Sequence, residues 1–295
     1  MIADGATLSV VAAALAVLAI GYGVVGALSA IPATSRSAAG IWPILNVEAA
    51  VVGAVCLVFL FAPLLVPLAF VAFAARIVWE AAAVTYRDGG RGRPLVWAGL
   101  AVVLLIAGFL LPWRLSLTLI GLAWIATAVL HWRVGEDPWP TGDLLLFPTL
   151  PVLAFAVACS ATYPALFLAA WIGIETFDSY ALLAGKVFGR RKAFPVLSPN
   201  KTVEGLAGGA VMLLATALIA AWLIAGVGLW AALAFAVLIA VFAVTGDLAA
   251  SLMKRRAGVK DFPRLIPHQG GLFDMFDSWI ATGAALAVVL LATGA

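Results

Sequence analysis

The sequence predicts an all-α, polytopic membrane protein with about ten transmembrane helices. Three observations lead there. First, 65% of the residues are hydrophobic and 11% are charged, with a mean hydropathy of +1.16. A soluble domain of this composition would lack polar cover for its surface. Second, apolar runs recur at close to the roughly 20 residues a helix needs to cross a bilayer core. Third, the basic residues fall almost entirely on alternate connections between those runs.

Taken in order, the runs place helices near 7–30, 47–63, 65–86, 95–111, 115–132, 143–160, 163–186, 203–226, 228–252 and 272–293. The first lacks the basic flank of a secretory signal and exceeds the usual length of one, so it reads as a retained helix. The second and third are divided at Ala62-Pro63-Leu64-Leu65-Val66-Pro67. Prolines are tolerated within membrane helices, so a kink there would make the count nine. Residues 1–140 read as a set of N-terminal membrane helices and 141–295 as the C-terminal helices that carry the site. Cys56 and Cys159 lie inside apolar runs and read as small buried residues, with no disulfide framework.

With ten spans, 15 of the 17 Lys and Arg residues fall on odd-numbered connections, the exceptions being Arg76 and Arg114. The positive-inside rule then puts the odd connections in the cytoplasm and both termini on the opposite side. A bacterial cell (inner) membrane is the expected location. The two most basic connections, 186–202 and 253–271, also hold the unusual polar residues. Their positive charge would by itself serve to orient the chain and attract anionic lipid. It does not account for the carboxylates beside it.

Those carboxylates sit at the cytoplasmic ends of late helices. Glu175 and Asp178, and again Asp274 and Asp277, are three residues apart and share a helix face. Asp247 is followed at four and seven residues by Ser251 and Lys254 on one stripe. Ionisable groups in a membrane segment are costly and mark function by default. Carboxylates from two helices at one depth suit Mg²⁺, which takes oxygen ligands and joins one or two carboxylates to substrate phosphates. Helix capping or pairing with nearby Lys and Arg is the plainer alternative.

Two further elements point to anion binding. Ser198-Pro199-Asn200-Lys201-Thr202-Val203-Glu204 precedes the eighth helix. There Ser198 or Asn200 would cap the helix, Glu204 would complete a capping box, and Lys201 would stand beside a helix N-terminus. Pro267-His268-Gln269-Gly270-Gly271 offers adjacent glycines whose backbone could approach a phosphate, or which could serve as a hinge. His131 and His268 are too isolated to suggest a zinc site.

At this point the chain resembles the phosphatidate cytidylyltransferase (CDP-diacylglycerol synthase) family. Ser251, Lys254, Arg255, Lys260, Asp261, Pro267, Gly270, Gly271, Asp274 and Asp277 fall in register with its C-terminal signature. Gly246-Asp247, the Ser198–Gly205 segment and, more loosely, Asp178-Ser179 with Gly185 and Gly189 also match. The resemblance covers roughly residues 171–280. Gln269 and Met275 depart from it, replacing a histidine and an arginine.

The resemblance implies cytidylyl transfer from CTP to phosphatidate, giving CDP-diacylglycerol and pyrophosphate for phospholipid biosynthesis. It assigns Asp247, Lys254, Asp274 and Asp277 to catalysis. Metal binding falls to Asp247, Asp274, Asp277 and Asp178. Substrate binding falls to Ser198, Asn200, Lys201, Ser251, Arg255, Lys260, Gly270 and Gly271. Mg²⁺ is the expected cofactor, with a second cation left open, and the partners are CTP, phosphatidate and the bilayer. Nucleic acid is not expected as a partner, and a homodimer is left open.

The residues fit this chemistry independently. A lipid phosphate is already anionic at neutral pH, so no Ser-His-Asp or Cys-His apparatus is needed. The alternatives are a CTP-dependent lipid or polyprenol kinase, which would release CDP, and an ion-coupled transporter, which would need polar residues joining both faces. A CDP-alcohol phosphatidyltransferase would need an Asp-Gly-x-x-Ala-Arg pattern that is absent.

Overall fold

The computed structural model describes residues 4–31, 35–87, 92–135, 139–223, 227–265 and 270–294. Pro267, His268 and Gln269 lie outside them. The elements in chain order are α1 (Gly5–Ala30), α2 (Ser35–Leu60), α3 (Ala62–Thr85), α4 (Gly92–Leu110) and α5 (Trp113–Val134). Then come α6 (Pro140–Ala161), α7 (Pro164–Phe188), β1 (Lys192–Phe194), β2 (Ser198–Thr202), α8 (Val203–Leu223), α9 (Leu229–Arg256) and α10 (Leu272–Thr293). Among the described residues nine helices are long and apolar enough to cross a membrane. The chain is an integral membrane protein.

The helix that falls short of that standard is α2, whose apolar part is Leu45–Leu60. At 1.5 Å per residue those residues reach about 24 Å against a core of about 30 Å. The helix itself begins at Ser35, well before the expected start near 47. The proline-rich split is a real break, because the chain turns at Phe61 and Pro63 enters α3 in its first turn. Proline is tolerated there since its missing N–H would have had no partner. Within α6, Phe147 leaves helical geometry before a cis Pro148, and the helix resumes from Leu150.

Lipid tails are as apolar as leucine, so helix association in a bilayer rests on close packing and interhelical hydrogen bonds. Both are visible. Gly208 packs its bare Cα against Ala184, and Gly209 against Phe177 and Ala181, joining α8 to α7. The centre of the molecule is α10, which contacts α9, α6, α7, α3 and α5. Trp279 packs edge-on or tilted against Phe155, Phe73 and Phe276 and donates its indole N–H to Phe167 O at 2.9 Å. Ser278 Oγ donates to Ala243 O at 2.9 Å and ties α10 to α9.

Polar contacts gather the connections after α3, α5 and α9 at one end of the bundle. Arg87 Nη1 donates to Ala257 O at 3.0 Å, and Arg256 Nη1 donates to Asp143 Oδ1 at 2.9 Å. At the C-terminus of α10, Arg114 Nη2 donates to Gly294 O.

The all-α expectation gains one small exception. Strands β1 and β2 form an antiparallel hairpin in which Lys192 pairs with Thr202 and Phe194 with Ser198. Ser198 and Asn200 therefore sit on a strand, and the cap of α8 is Thr202, whose Oγ1 accepts Gly205 N–H at 3.1 Å. The capping-box expectation for Glu204 is corrected as well. Its carboxylate accepts the N–H groups of Arg190 and Arg191 and pairs with the Arg191 guanidinium at 3.0 Å. Two backbone donors and a cation outcompete the single N–H a capping box would offer.

Candidate active site

Four elements bring the acidic residues together. Gly246 lets α9 close on α10, since a Cβ there would sit 2.5 Å from Asp277 O and 2.9 Å from the Ala281 Cβ. That approach sets Asp247 of α9 beside Asp277 of α10. From β2, Lys201 Nζ reaches 2.9 Å from Asp247 Oδ2. Asp178 of α7 feels the charges of both Lys201 and Asp247, and Asp277 those of Asp247, Lys254 and Lys201. The group is three carboxylates interleaved with two lysines.

Within it, Asp247 Oδ2 is buried and, among the described residues, has no hydrogen-bond partner despite its ion-pair distance to Lys201. Asp277 is 5% exposed, and one of its oxygens accepts the Ser278 N–H and, at 3.2 Å, the Ser278 hydroxyl. Neither carboxylate is spent on a full set of donors. Lys201 supplies a cation to Asp247 without a full set of hydrogen bonds, so the pair of carboxylates keeps oxygen lone pairs for a further ligand.

Asp274 behaves differently. Its Oδ1 accepts from Lys254 Nζ at 2.6 Å, and its Oδ2 accepts Phe262 N–H at 2.9 Å and Gly271 N–H at 3.0 Å. Placed at the third position of α10, it bonds back to the N-cap amide and folds the preceding loop onto the helix. Lys254 also lies over the Phe262 ring, at 5.3 Å. Gly270 has φ +90°, a conformation glycine adopts readily. A Cβ on Gly271 would run into the Glu80 carboxylate. The paired glycines thus close a loop, and the Gly271 amide is already engaged by Asp274.

Sequence reasoning missed Glu80. It lies on α3 and is fully buried. Its Oε1 accepts from Arg76 Nε at 2.6 Å and Leu272 N–H at 3.0 Å, and its Oε2 accepts Phe273 N–H at 2.8 Å. Arg76 Nη2 also donates to Pro263 O at 3.2 Å. The signal was present as an Arg and a Glu four residues apart in an otherwise apolar span.

Residues 42–293 match the cytidylyltransferase family. The chain belongs to that family. It is similar to the phosphatidate cytidylyltransferases of Staphylococcus saprophyticus and Staphylococcus aureus, each 36% identical over 126 residues, 42% of this chain and 47% of the relative. That of Staphylococcus haemolyticus is 34% identical over the same extent. The match spans about half the length of these curated relatives.

Other expected site residues of this cytidylyltransferase-family chain lie on α9 and the connection that follows it. Ser251 is buried on α9, one turn beyond Asp247. Arg255 is exposed and donates to Val259 O at 3.2 Å, closing the turn after α9. Lys260 is exposed, and Asp261 lies 3.7 Å from Arg264. Glu175, on α7, has Glu48 of α2 and Asp178 as charged neighbours.

Met275, where the family signature has arginine, lines an apolar groove of about 280 Å³ between α2, α3 and α10. Val55, Phe73, Leu272 and Trp279 are among its walls. The same helix therefore presents aspartates to the polar group and Met275 to an apolar surface.

Among the described residues no three His, Cys, Asp or Glu side chains form a metal cage by themselves. The neighbouring carboxylates of Asp247 and Asp277 nevertheless offer the hard oxygen donors Mg²⁺ takes. Mg²⁺ commonly completes its sphere with water and substrate phosphate.

Proposed function

We propose that the protein transfers a cytidylyl group from CTP to phosphatidate, giving CDP-diacylglycerol and pyrophosphate. The observation that carries this reading is the juxtaposition of Asp247, Asp277 and Asp178 with Lys201 and Lys254 at one end of an apolar bundle. An apolar groove is lined by the same helix, α10. The family membership and the names of the relatives support the reaction class. The one-sided distribution of Lys and Arg supports a cytoplasmic site and, with α2 counted as the tenth crossing, puts both termini on the opposite side.

In the reaction, an anionic oxygen of the lipid phosphate attacks the α-phosphorus of CTP. One P–O bond forms as the bond to the β-phosphate oxygen breaks, and the electron pair leaves with pyrophosphate. No proton need be removed from the nucleophile. The side chains therefore act by positioning and by neutralising charge. Lys201 and Lys254 carry the positive charge that meets the phosphates. Asp247 and Asp277, with Asp178 as an outer member, would hold Mg²⁺, which when bound would neutralise charge on the triphosphate. Asp274 has its oxygens committed to Lys254 and the loop, so its part is to orient Lys254 and α10. An acyl chain of the lipid would lie in the groove beside Met275 while its phosphate reaches the polar group.

The test is purified protein in mixed micelles with phosphatidate, CTP and Mg²⁺. CDP-diacylglycerol and pyrophosphate should appear together and be abolished by EDTA. Formation of CDP with a phosphorylated lipid would instead identify a lipid kinase and contradict the proposal.

A further inference from the structure

Among its described residues, 257–265 and 270–271, the connection from α9 to α10 carries only turns, bends and a bridge at Gly270, yet it leads into the helix that must present Asp274 and Asp277 reproducibly. What fixes it comes from α3, almost two hundred residues earlier. A fully buried carboxylate in an apolar span is costly unless both its oxygens accept hydrogen bonds and a cation stands beside it. Glu80 meets that condition with two consecutive amides of α10's first turn and one guanidinium. Helix N-termini carry unpaired N–H groups and partial positive charge, so an anion is the natural partner there. The protein fills that place with its own side chain, and the site at α10's start is closed to substrate phosphate.

The other end of the device is Arg76. One guanidinium nitrogen holds Glu80, and another holds Pro263 O, next to Phe262, whose own N–H goes to Asp274. Glu80 thus grips the helix and Arg76 the loop, on either side of the Asp274–Lys254 pair. Gly271 is required because any side chain would enter the space the Glu80 carboxylate occupies.

We infer that Glu80, held by Arg76, is a positioning residue for the transfer site: it anchors the start of α10 so that Asp274, Asp277 and Lys254 keep their places. This rests on the proposed function for its kinetic consequence, but not for its structural one. Glu80→Gln keeps the size of the side chain while removing one acceptor and the charge. In the full-length protein in micelles, kcat should fall about tenfold to a hundredfold, as for the loss of partners that orient site ligands. The KM for CTP should stay within about threefold. Arg76→Gln should lower kcat similarly, and the double variant should be no worse than Glu80→Gln, because the two act as one unit.

Amide hydrogen exchange supplies the independent readout. Peptides covering 258–275 should exchange faster in Glu80→Gln, while those from α6 and α7 keep wild-type protection. Wild-type kcat together with unchanged exchange at 258–275 would overturn the inference. So would faster exchange throughout the bundle, which would mark a merely structural residue. If the wild-type protein makes no CDP-diacylglycerol, the functional proposal fails, while exchange at 258–275 still decides whether Glu80 anchors the loop.

Discussion

Asp247 is the residue on which the polar group turns. Its buried oxygen faces Lys201 without a hydrogen bond, whereas Asp274 uses its oxygens on Lys254 and two amides. The two aspartates are alike in the sequence and different in their surroundings. Asp247→Asn should therefore lower kcat by about a hundredfold or more, the scale of losing a preorganised electrostatic contact, with melting behaviour little changed. Asp274→Asn should cost both activity and thermal stability, since a neutral amide removes the charge paired with the largely buried Lys254 at 2.6 Å. Activity and melting measured side by side on the two variants separate these roles.

Met275 is also decided at this scale. Its place in the apolar groove accounts for an uncharged residue there. Met275→Arg should raise the KM for phosphatidate about tenfold, equivalent to about 1.4 kcal/mol, and leave the KM for CTP within about twofold. An equal rise in both would contradict the groove assignment.

At the scale of elements, the long helices were legible because an apolar run of bilayer length has few other structures open to it. The front of α2 was not, because Ser35–Ile44 mixes polar residues and Pro43 into a helix that hydropathy alone cannot follow. Nor was the 192–202 hairpin, whose strands are short and show no clear alternation of apolar and polar residues.

Asp247, Asp277, Lys201 and Lys254 could be picked out from their charge in an apolar chain. Glu80 could not be tied to them, because its partners Leu272 and Phe273 are distant in the sequence. Gly246 stood out in the sequence only as part of the Gly246-Asp247 match to the family pattern, and the packing shows that it sets the α9–α10 spacing under the site. Gly246→Val should overpack that crossing, costing about 1–3 kcal/mol, and should lower activity more than Gly53→Ala, where a Cβ meets nothing within 4 Å.

For the whole molecule, the contacts of Arg87 with Ala257 and of Arg256 with Asp143 bring distant connections to the end that bears the polar group. The proposed orientation, drawn from the charge pattern, puts that end in the cytoplasm. A single cysteine at Lys260, in a background with Cys56 and Cys159 replaced, should react with an impermeant maleimide only after the cell membrane is opened. A cysteine at Gly294 should react in intact spheroplasts.

The central claim is that the α-phosphorus of CTP moves to the lipid. Parallel reactions with CTP labelled at the α- or the γ-phosphate test it most directly. The account predicts lipid label from α-labelled CTP alone, with the γ label recovered in pyrophosphate and both signals lost in Asp247→Asn. Lipid label from γ-labelled CTP, or undiminished transfer by Asp247→Asn, would contradict it.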